Sequence, residues 1–385
     1  MHRIRNISLI LSMLLLFGCI KSYDPLIDSN VEKKYVVSGR ITDKEGWQEV
    51  EVSLSSPIDS PEYIPVLDCQ VKILDNRGNV FSLAEYNPGQ YQVWISQEYL
   101  TTGTSYQVRV TVPNGEELVS GFDTMSACPP LDSVFYSLEE VLISNPGNYL
   151  KGMQFYVDLN AEGDYSQFYK WDVIETWEYH APLPLEYYFD GTHHEVKPPD
   201  FSNQVCWKTD LVKNVFTVST KNLTQNIYNQ YPLQFVDGRR SSRLGIQYSI
   251  LVRQLSLSEG AYNYWEQLRI NSNEQGGLYE KQPLAIRGNL MNISNPGKDV
   301  LGYFYAASES SGRYFYKDIE GIIPDFENFC QESDLGRLGW KEYYWWEYPV
   351  YYYFNEFGRL RILNHICVDC PLMGGTTVKP DFWPN

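Results

Sequence analysis

Histidine is scarce in this sequence, and apolar runs are short after its first residues. Only five of the 385 residues are His, and none of them stands in an H-E-x-x-H or similar metal-binding spacing. After residue 19, no segment approaches the about 18 consecutive apolar residues that mark a membrane-spanning helix. These shortages argue against a histidine metal centre, and they exclude a helical membrane span from the body of the chain.

Basic residues are also few. Lys and Arg together number 31 against 48 Asp and Glu, so the formal net charge at pH 7 is −17. A protein that binds nucleic acid or an anionic lipid surface by electrostatics needs the opposite balance. We therefore expect no nucleic-acid partner, and we expect the acidity to favour solubility.

The sequence carries none of the motifs by which many enzymes are recognised. It has no G-x-S-x-G nucleophile elbow, no phosphate-cradling glycine loop and no Asp-rich calcium loop. Carboxylates are plentiful, but their spacing does not identify a catalytic pair. We expect a protein without enzymatic activity, without a cofactor and without a bound metal.

What the sequence does have begins at its N-terminus. Two arginines precede the apolar run ISLILSMLLLFG, which ends directly before Cys19. This order predicts a signal peptide over residues 1–18, and the Gly-Cys pair at its end resembles the lipobox of bacterial lipoproteins. We expect Cys19 to be lipid-modified and residues 19–33 to form a tether to the membrane. The alternative is an ordinary signal peptide followed by a chance cysteine.

Six cysteines remain after Cys19, an even number that predicts disulfides in an exported protein. Sequence alone cannot choose among their pairings. As a working hypothesis, the first two pair with each other, and the middle two pair with the last two. In chain order the six are Cys69, Cys128, Cys206, Cys330, Cys367 and Cys370.

The segment HICVDC places His365 two positions before a C-x-x-C pair. Such a group suits a zinc knuckle, a thioredoxin-like redox pair or a structural clamp. A structural zinc site needs a fourth ligand, and a redox pair is expected at a strand-to-helix junction, whereas Pro371 follows here. We favour structural disulfides, and we interpret His365 as a packed residue beside one of them.

From residue 35 onward, short apolar-polar alternations are separated by turns rich in Asp, Gly, Asn and Pro. The clearest strands are YVVSGRIT, CQVKILD and SYQVRVTV, with turns at DNRGN and NPGQ. Their regular spacing predicts an Ig-like β-sandwich over residues 34–128. Aromatic and β-branched runs such as QFYKWDVIETWEY predict a larger β-rich domain over residues 129–385. The expected fold class is mainly β.

One segment breaks the strand pattern. The letters SLSE at residues 256–259 match a capping box, and three apolar residues then recur at helical spacing. We predict one short helix from Leu257 to Arg269 that covers a sheet face with Trp265. A binding role for Trp265 is the alternative.

Residues 340–357, WKEYYWWEYPVYYYFNEF, form the most unusual stretch. Aromatic side chains in this density can provide a stacking platform for sugar rings or a contact surface for another protein. The alternative is a strand pair around Pro349 whose aromatic side chains face the core. The residues that we single out as ligand or partner contacts are Trp340, Tyr343, Trp345, Trp346 and Tyr348.

Two polar segments are interpreted as loops. His193 and His194 lie in DGTHHEVKPPD, where adjacent residues do not share a face, so a metal site is not expected. Arg239, Arg240 and Arg243 can hold a carboxylate or a phosphate in bidentate contacts. Ion pairs with local acids are the simpler interpretation of these arginines.

Several segments occur in a recognisable order: YVVSGRITD, NPGQY, CPPLDSVFY, LSLSEGAYNYWEQL, RGNLMNISNPGKDVLGYFYAAS and CVDCPLMGGTTVKPDFW. This order resembles a family of Bacteroidota outer-membrane lipoproteins, the domain of unknown function 4249. The resemblance implies a cell-envelope partner of a TonB-dependent, SusC-like outer-membrane transporter, and it supplies no catalytic residues. Surface export in that phylum is associated with acids directly after the lipidated cysteine, whereas the first acid here is Asp24.

Together these observations predict a non-enzymatic lipoprotein of the outer membrane, anchored through lipid at Cys19. We expect it at the cell surface, with the periplasmic face left open, where it binds a nutrient or the transporter during uptake. A glycan-binding surface adhesin or a structural envelope protein is the alternative. An exposed aromatic stretch would favour glycan binding, and a buried one would remove that argument.

Overall fold

The computed structural model describes residues 33–57, 60–142, 149–239, 241–273, 286–322 and 330–384. Within these ranges the chain is mainly β and contains a single α-helix, as the sequence predicts. The signal peptide, Cys19 and all but the last residue of the tether lie outside the described residues.

The elements follow one another along the chain as three groups. The first strands are β1 Tyr35–Thr42, β2 Gly46–Leu54, β3 Ile64–Pro65, β4 Gln70–Asp75, β5 Val80–Asn87, β6 Gln90–Ile95, β7 Ser105–Thr111, β8 Glu117–Ser120 and β9 Asp123–Thr124. The next are β10 Val134–Leu142, β11 Tyr149–Asn160, β12 Phe168–His180, β13 Leu185–Phe189, β14 His193–Asp200, β15 Val205–Leu211, β16 Phe216–Ser219, β17 Ile227–Asp237 and β18 Gln247–Ser256. The last are helix α1 Glu259–Asn273 and strands β19 Leu290–Asn292, β20 Phe304–Ala307, β21 Glu309–Lys317, β22 Glu332–Asp334, β23 Val350–Phe354 and β24 Leu360–Leu363.

The N-terminal strands form a sandwich because their apolar side chains alternate and share one core. Val37 and Ile41 of β1, for example, point inward and are fully buried. The strand order is β19-β8-β7-β4-β5-β6-β2-β1-β20, with β3 paired to β2 and β9 paired to β7. Asp75 closes the turn between β4 and β5, since its carboxylate accepts hydrogen bonds from the backbone of Arg77 and Asn79. We call this unit the N-terminal sandwich.

Strands from much later in the chain complete the N-terminal sandwich. β19 pairs antiparallel with β8, and β20 pairs parallel with β1. Phe304 and Ala306 of β20 are fully buried in the same core as the first strands. The predicted sandwich of residues 34–128 therefore leaves out two strands that the folded unit uses.

A second sandwich forms the centre of the molecule. Its three-stranded sheet, β10-β11-β17, packs on a sheet ordered β15-β12-β18-β21, to which β16 adds by pairing with β12. Phe155 of β11 stacks with Tyr248 of β18, with 5.7 Å between the ring centroids. We call this unit the central sandwich.

Helix α1 packs on the outer face of the central sandwich. Its N-cap is Ser258, whose Oγ accepts a hydrogen bond of 3.1 Å from the backbone N–H of Ala261. The predicted helix is therefore present, but it begins two residues later, because Ser256 is the last residue of β18. Trp265 packs against buried Leu255 of β18 and its neighbours, which confirms its predicted covering role.

The cysteine hypothesis is confirmed in one half and wrong in the other. The disulfides are Cys206–Cys370 and Cys330–Cys367. The predicted bond between Cys69 and Cys128 is wrong, and both are free thiols. Cys69 is buried in the N-terminal sandwich, whereas the Cys128 thiol lies 3.5 Å from the carbonyl oxygen of Gln254 in the central sandwich.

The HICVDC segment is a clamp, because each of its two cysteines bonds to a different distant partner. Short 3-10 turns at His365–Cys367 and Cys370–Met373 present the two thiols. His365 itself is exposed, which differs from the predicted packed position, and only its ring contacts Tyr351 at 4.9 Å.

Candidate partner-binding surface

A peripheral sheet carries the aromatic stretch. Its strand order is β14-β13-β23-β24-β22. Tyr187 of β13 lies opposite Tyr352 of β23, and their rings stack with centroids 5.4 Å apart. We call this sheet, with the turns and disulfides that adjoin it in residues 330–370, the aromatic cap.

Three of the five predicted contact residues pack into the aromatic cap. Trp340 lies 4.6 Å from Phe189 and 5.0 Å from Tyr352, measured between ring centroids. Tyr343 and Tyr348 are half-buried in the same cluster. Burial raises the pKa of Tyr343 above its usual value. These side chains support the cap and offer little free surface.

The other two predicted residues point into solvent, together with a neighbour that sequence analysis missed. The exposed fractions are 57% for Tyr344, 77% for Trp345 and 62% for Trp346. Tyr344 and Trp346 stack face to face at 4.5 Å, and Trp345 meets Trp346 edge to face at 5.7 Å. We call these three side chains the aromatic surface.

A short 3-10 turn, rather than the strand that was the alternative, creates the aromatic surface. Its residues are Trp345–Glu347. The Glu347 carboxylate accepts a hydrogen bond of 2.9 Å from the backbone N–H of Tyr344, and the Glu347 N–H donates to the Tyr344 carbonyl at 2.9 Å. The acid three positions after Tyr344 is the sequence signal for this turn, since reciprocal bonds of this kind need that spacing.

Covalent bonds brace the aromatic cap. Cys206 of β15 is bonded to Cys370, so the cap is tied to the central sandwich. The backbone N–H of Leu183 also donates to the carbonyl of Cys367 at 3.0 Å. A surface held this way loses little conformational freedom when a partner binds.

The histidine pair belongs to the aromatic cap and lies in a strand, so the predicted loop is wrong. β14 begins at His193 and pairs with β13. His193 Nδ1 lies 3.1 Å from the hydroxyl of Tyr352, whereas His194 stacks on Tyr188 at 4.5 Å. Because neighbouring side chains of a strand point to opposite faces, the two imidazoles have separate surroundings.

The arginine cluster is explained by ion pairing, as the sequence predicts. Arg243 lies 3.1 Å from Glu175 and 3.8 Å from Asp237. Arg239 is exposed, and Arg240 lies outside the described residues. Among the described residues, no group of three His, Cys, Asp or Glu side chains is placed to hold a metal ion. No helix in the same part of the chain has the length and apolar character needed to cross a membrane.

Comparison with known proteins gives one informative match. No curated protein sequence matches the chain. Among solved structures, the chain is similar to trypsin-activated alpha-2-macroglobulin from Escherichia coli at 9% identity and a TM-score of 0.19, over 60% of this chain and 15% of that one. A likeness this weak, to a small part of a longer protein, carries no argument. The sequence model of a family described as a domain of unknown function, DUF4249, matches residues 20–313, and the chain therefore belongs to that family.

Proposed function

We propose that the chain is a non-enzymatic lipoprotein of a Bacteroidota outer membrane, anchored through Cys19, that assists a TonB-dependent, SusC-like transporter. The aromatic surface is the place where it contacts the transporter. The observation that carries this proposal is the exposure of Tyr344, Trp345 and Trp346 as adjacent side chains on a disulfide-braced cap.

Exposed aromatic side chains of this kind favour a protein partner. Trp and Tyr are enriched in protein interfaces because each buries a large apolar area and keeps a polar group for hydrogen bonding. Trp345 and Trp346 are mostly exposed, so a partner that covers them gains free energy from the apolar area removed from water. Because the cap is already braced, less of that gain is spent on ordering the surface.

Glycan binding by the same stretch, which is the alternative, has less support. A sugar platform needs a row of free ring faces, but Tyr344 and Trp346 cover one face of each other at an interplanar angle of 7°. Trp340, Tyr343 and Tyr348 pack into the cap. The stretch therefore offers a compact aromatic knob, which suits a pocket on a protein better than an extended sugar chain.

The lipid anchor and the transporter are supported by the sequence. The family match begins at residue 20, directly after Cys19, and the apolar run with its Gly-Cys end precedes that point. The net charge of −17 opposes electrostatic attraction to anionic lipids, so acyl chains would have to supply the membrane affinity.

A pull-down of the tagged native lipoprotein from gently solubilised outer membranes tests the proposal. We expect mass spectrometry to identify a TonB-dependent barrel in stoichiometric amount. The double variant Trp345→Ala/Trp346→Ala should recover at least about tenfold less barrel, because losing interface hot spots worth ~1.4 kcal/mol has that effect.

Two controls sharpen this experiment. Phe357→Ala removes an aromatic side chain that is 78% exposed but lies in the turn between β23 and β24, away from the aromatic surface. Cys19→Ala removes the proposed anchor. Recovery of the lipidated protein alone would contradict the transporter proposal, and undiminished barrel recovery with the double variant would remove the aromatic surface from the contact.

A further inference from the structure

A cleft of about 760 Å³ lies between the N-terminal sandwich and the central sandwich. One wall is the outer face of β1, β2 and β6, and the other combines α1, the chain entering β20 and residues from the outer face of β18. Its volume falls within the roughly 300–1,000 Å³ typical of small-molecule sites. The cleft shares no residue with the aromatic surface.

The wall on the N-terminal sandwich is a ladder of aromatic and polar side chains. Trp47 of β2 lies opposite Trp94 of β6, and their rings meet edge to face at 5.6 Å. Both rings are about half exposed, at 56% and 52%. Arg40 and Glu49 form the next cross-strand pair, and Glu51 follows two positions further along the same face of β2. Large ring faces and charged groups therefore stand side by side.

Aromatic side chains also line the opposite wall. Tyr264 of α1 lies 4.9 Å from Tyr303, and Trp265 lies 6.1 Å from Tyr305, measured between ring centroids. Gly260 leaves the space that Tyr303 occupies, because a Cβ at this position would lie 2.6 Å from the Tyr303 hydroxyl. The fold thus places tyrosines and tryptophans on both sides of the cleft.

A buried ion network joins the two walls at the bottom of the cleft. Arg40 of β1 lies 2.5 Å from Asp172 of β12, which also pairs with Lys170, and the Lys170 ammonium lies 4.4 Å from the centre of the Trp265 ring. Burial by itself would raise the pKa of Asp172, but Lys170 and Arg40 outweigh it and hold that pKa below its usual value. The carboxylate stays ionised and fixes the cations that surround it.

Two acids on the wall keep acceptor capacity. Across the part of the chain that the structure describes, neither Glu49 nor Glu51 has a cationic group within ion-pair distance. The hydroxyl of Tyr86 interacts with Glu49, and burial raises the pKa of Glu51 above its usual value. These carboxylates are open to donors from a ligand.

We propose that this cleft binds a saccharide. Sugar rings present C–H faces that pack on aromatic rings, and hydroxyl groups that both donate and accept hydrogen bonds. Trp47 and Trp94 supply ring faces, Glu49 accepts hydrogen bonds, and Arg40 donates them. Charges of both signs line the cleft, so a neutral polyol fits better than a strongly charged ligand, which would face like charges in one part of the site.

Titration of the purified full chain in detergent tests this site. The chain is first screened on an array of neutral oligosaccharides, and the strongest ligand is then measured by calorimetry and by tryptophan fluorescence. We expect Trp47→Ala and Glu49→Gln each to weaken binding at least about tenfold, which corresponds to ~1.4 kcal/mol. Trp47 is half exposed, so its variant should keep the fold, which circular dichroism verifies.

Trp345→Ala is the matched control, since it removes an exposed tryptophan outside the cleft and should leave saccharide binding unchanged. Absence of binding to every array saccharide by the folded chain would overturn the proposal. So would equal affinity in the wild type and both cleft variants, or binding of an oligolysine probe in preference to all saccharides. Because no transporter is present, these results are independent of the pull-down.

Discussion

The aromatic cap and the N-terminal sandwich are attached to the central sandwich in different ways. The cap is tied covalently, through the bond between Cys206 of β15 and Cys370. The described residues of the N-terminal sandwich contain no disulfide, and this unit is held by packing and by the ion pair between Arg40 and Asp172. The two regions also differ in their cores, since the sandwich buries a large aliphatic cluster and the cap's own sheet buries only four residues in its cluster.

This difference shows what a small aromatic sheet requires. Burial of apolar area has to offset the conformational entropy that the backbone loses on folding, and a small core offsets less of it. A disulfide lowers the entropy of the unfolded chain and so reduces the loss. We infer that the cap depends on its cross-links, whereas the N-terminal sandwich is stabilised by its core.

The largest expected effect comes from removing the bond that ties the cap to the centre. The double variant Cys206→Ser/Cys370→Ser should destabilise the cap by about 2–5 kcal/mol. Hydrogen exchange read by mass spectrometry should show faster exchange in β13 and β23 and unchanged protection in β4 and β7. Cys69→Ala, which removes a free thiol in the sandwich, should leave exchange in the cap unchanged.

Equal loss of protection in the cap and the N-terminal sandwich would break the comparison, because the two regions would then unfold as one cooperative unit. Faster exchange confined to the cap would support separate units. The same experiment therefore measures how far the disulfide's influence extends.

The sequence predicts the two regions with unequal success. YVVSGRIT coincides with β1, because one face of that strand is buried and the other is solvated, which produces the alternation. In the cap, β13 and β14 were missed, since tyrosines on both faces and two prolines in β14 hide the period of two. The parallel pairing of β20 with β1 joins distant parts of the chain, and no local pattern encodes such a contact.

The candidate site shows the same limit. The aromatic composition of residues 340–357 identified the region, and Trp345 and Trp346 are exposed as a contact surface requires. The inward position of Trp340 depends on Phe189, which comes from a distant strand. Local sequence shows which residues are aromatic, whereas the tertiary contacts decide which of them face solvent.

A smaller effect is expected at the ion pair that joins the N-terminal sandwich to the centre. Asp172→Asn should destabilise this joint by on the order of 2 kcal/mol, below the about 3–5 kcal/mol of a fully buried pair, because the side chains of Asp172 and Arg40 are still 16% and 32% exposed. Urea unfolding of both proteins measures the difference. Asp299→Asn is the control, since its ion pair with Lys34 is exposed and should contribute little.

The pH dependence of Asp172→Asn has a defined sign. The folded-state pKa of Asp172 lies below the ordinary value of 3.8, so its stabilising contribution is present above pH 3.8 and is lost as pH falls through the folded-state value. The stability difference between wild type and variant should therefore shrink below about pH 4. A difference that stays constant down to pH 2 would show that the ionised carboxylate is not what holds the joint.

The smallest effect is expected at the start of α1, which lines the cleft beside the same joint. Ser258→Ala removes the N-cap acceptor for Ala261 and should cost about 1 kcal/mol. Exchange should increase in the first turn of α1 and leave the cap unaffected, while Asn263→Ala, at an exposed position of the helix, should change stability by only a few tenths of a kcal/mol. If saccharide binding weakens in the Ser258 variant while the cap keeps its protection, the cleft depends on the non-covalent joint and the aromatic surface does not. Weakening of both would mean that the two regions share one stability, despite their different attachments.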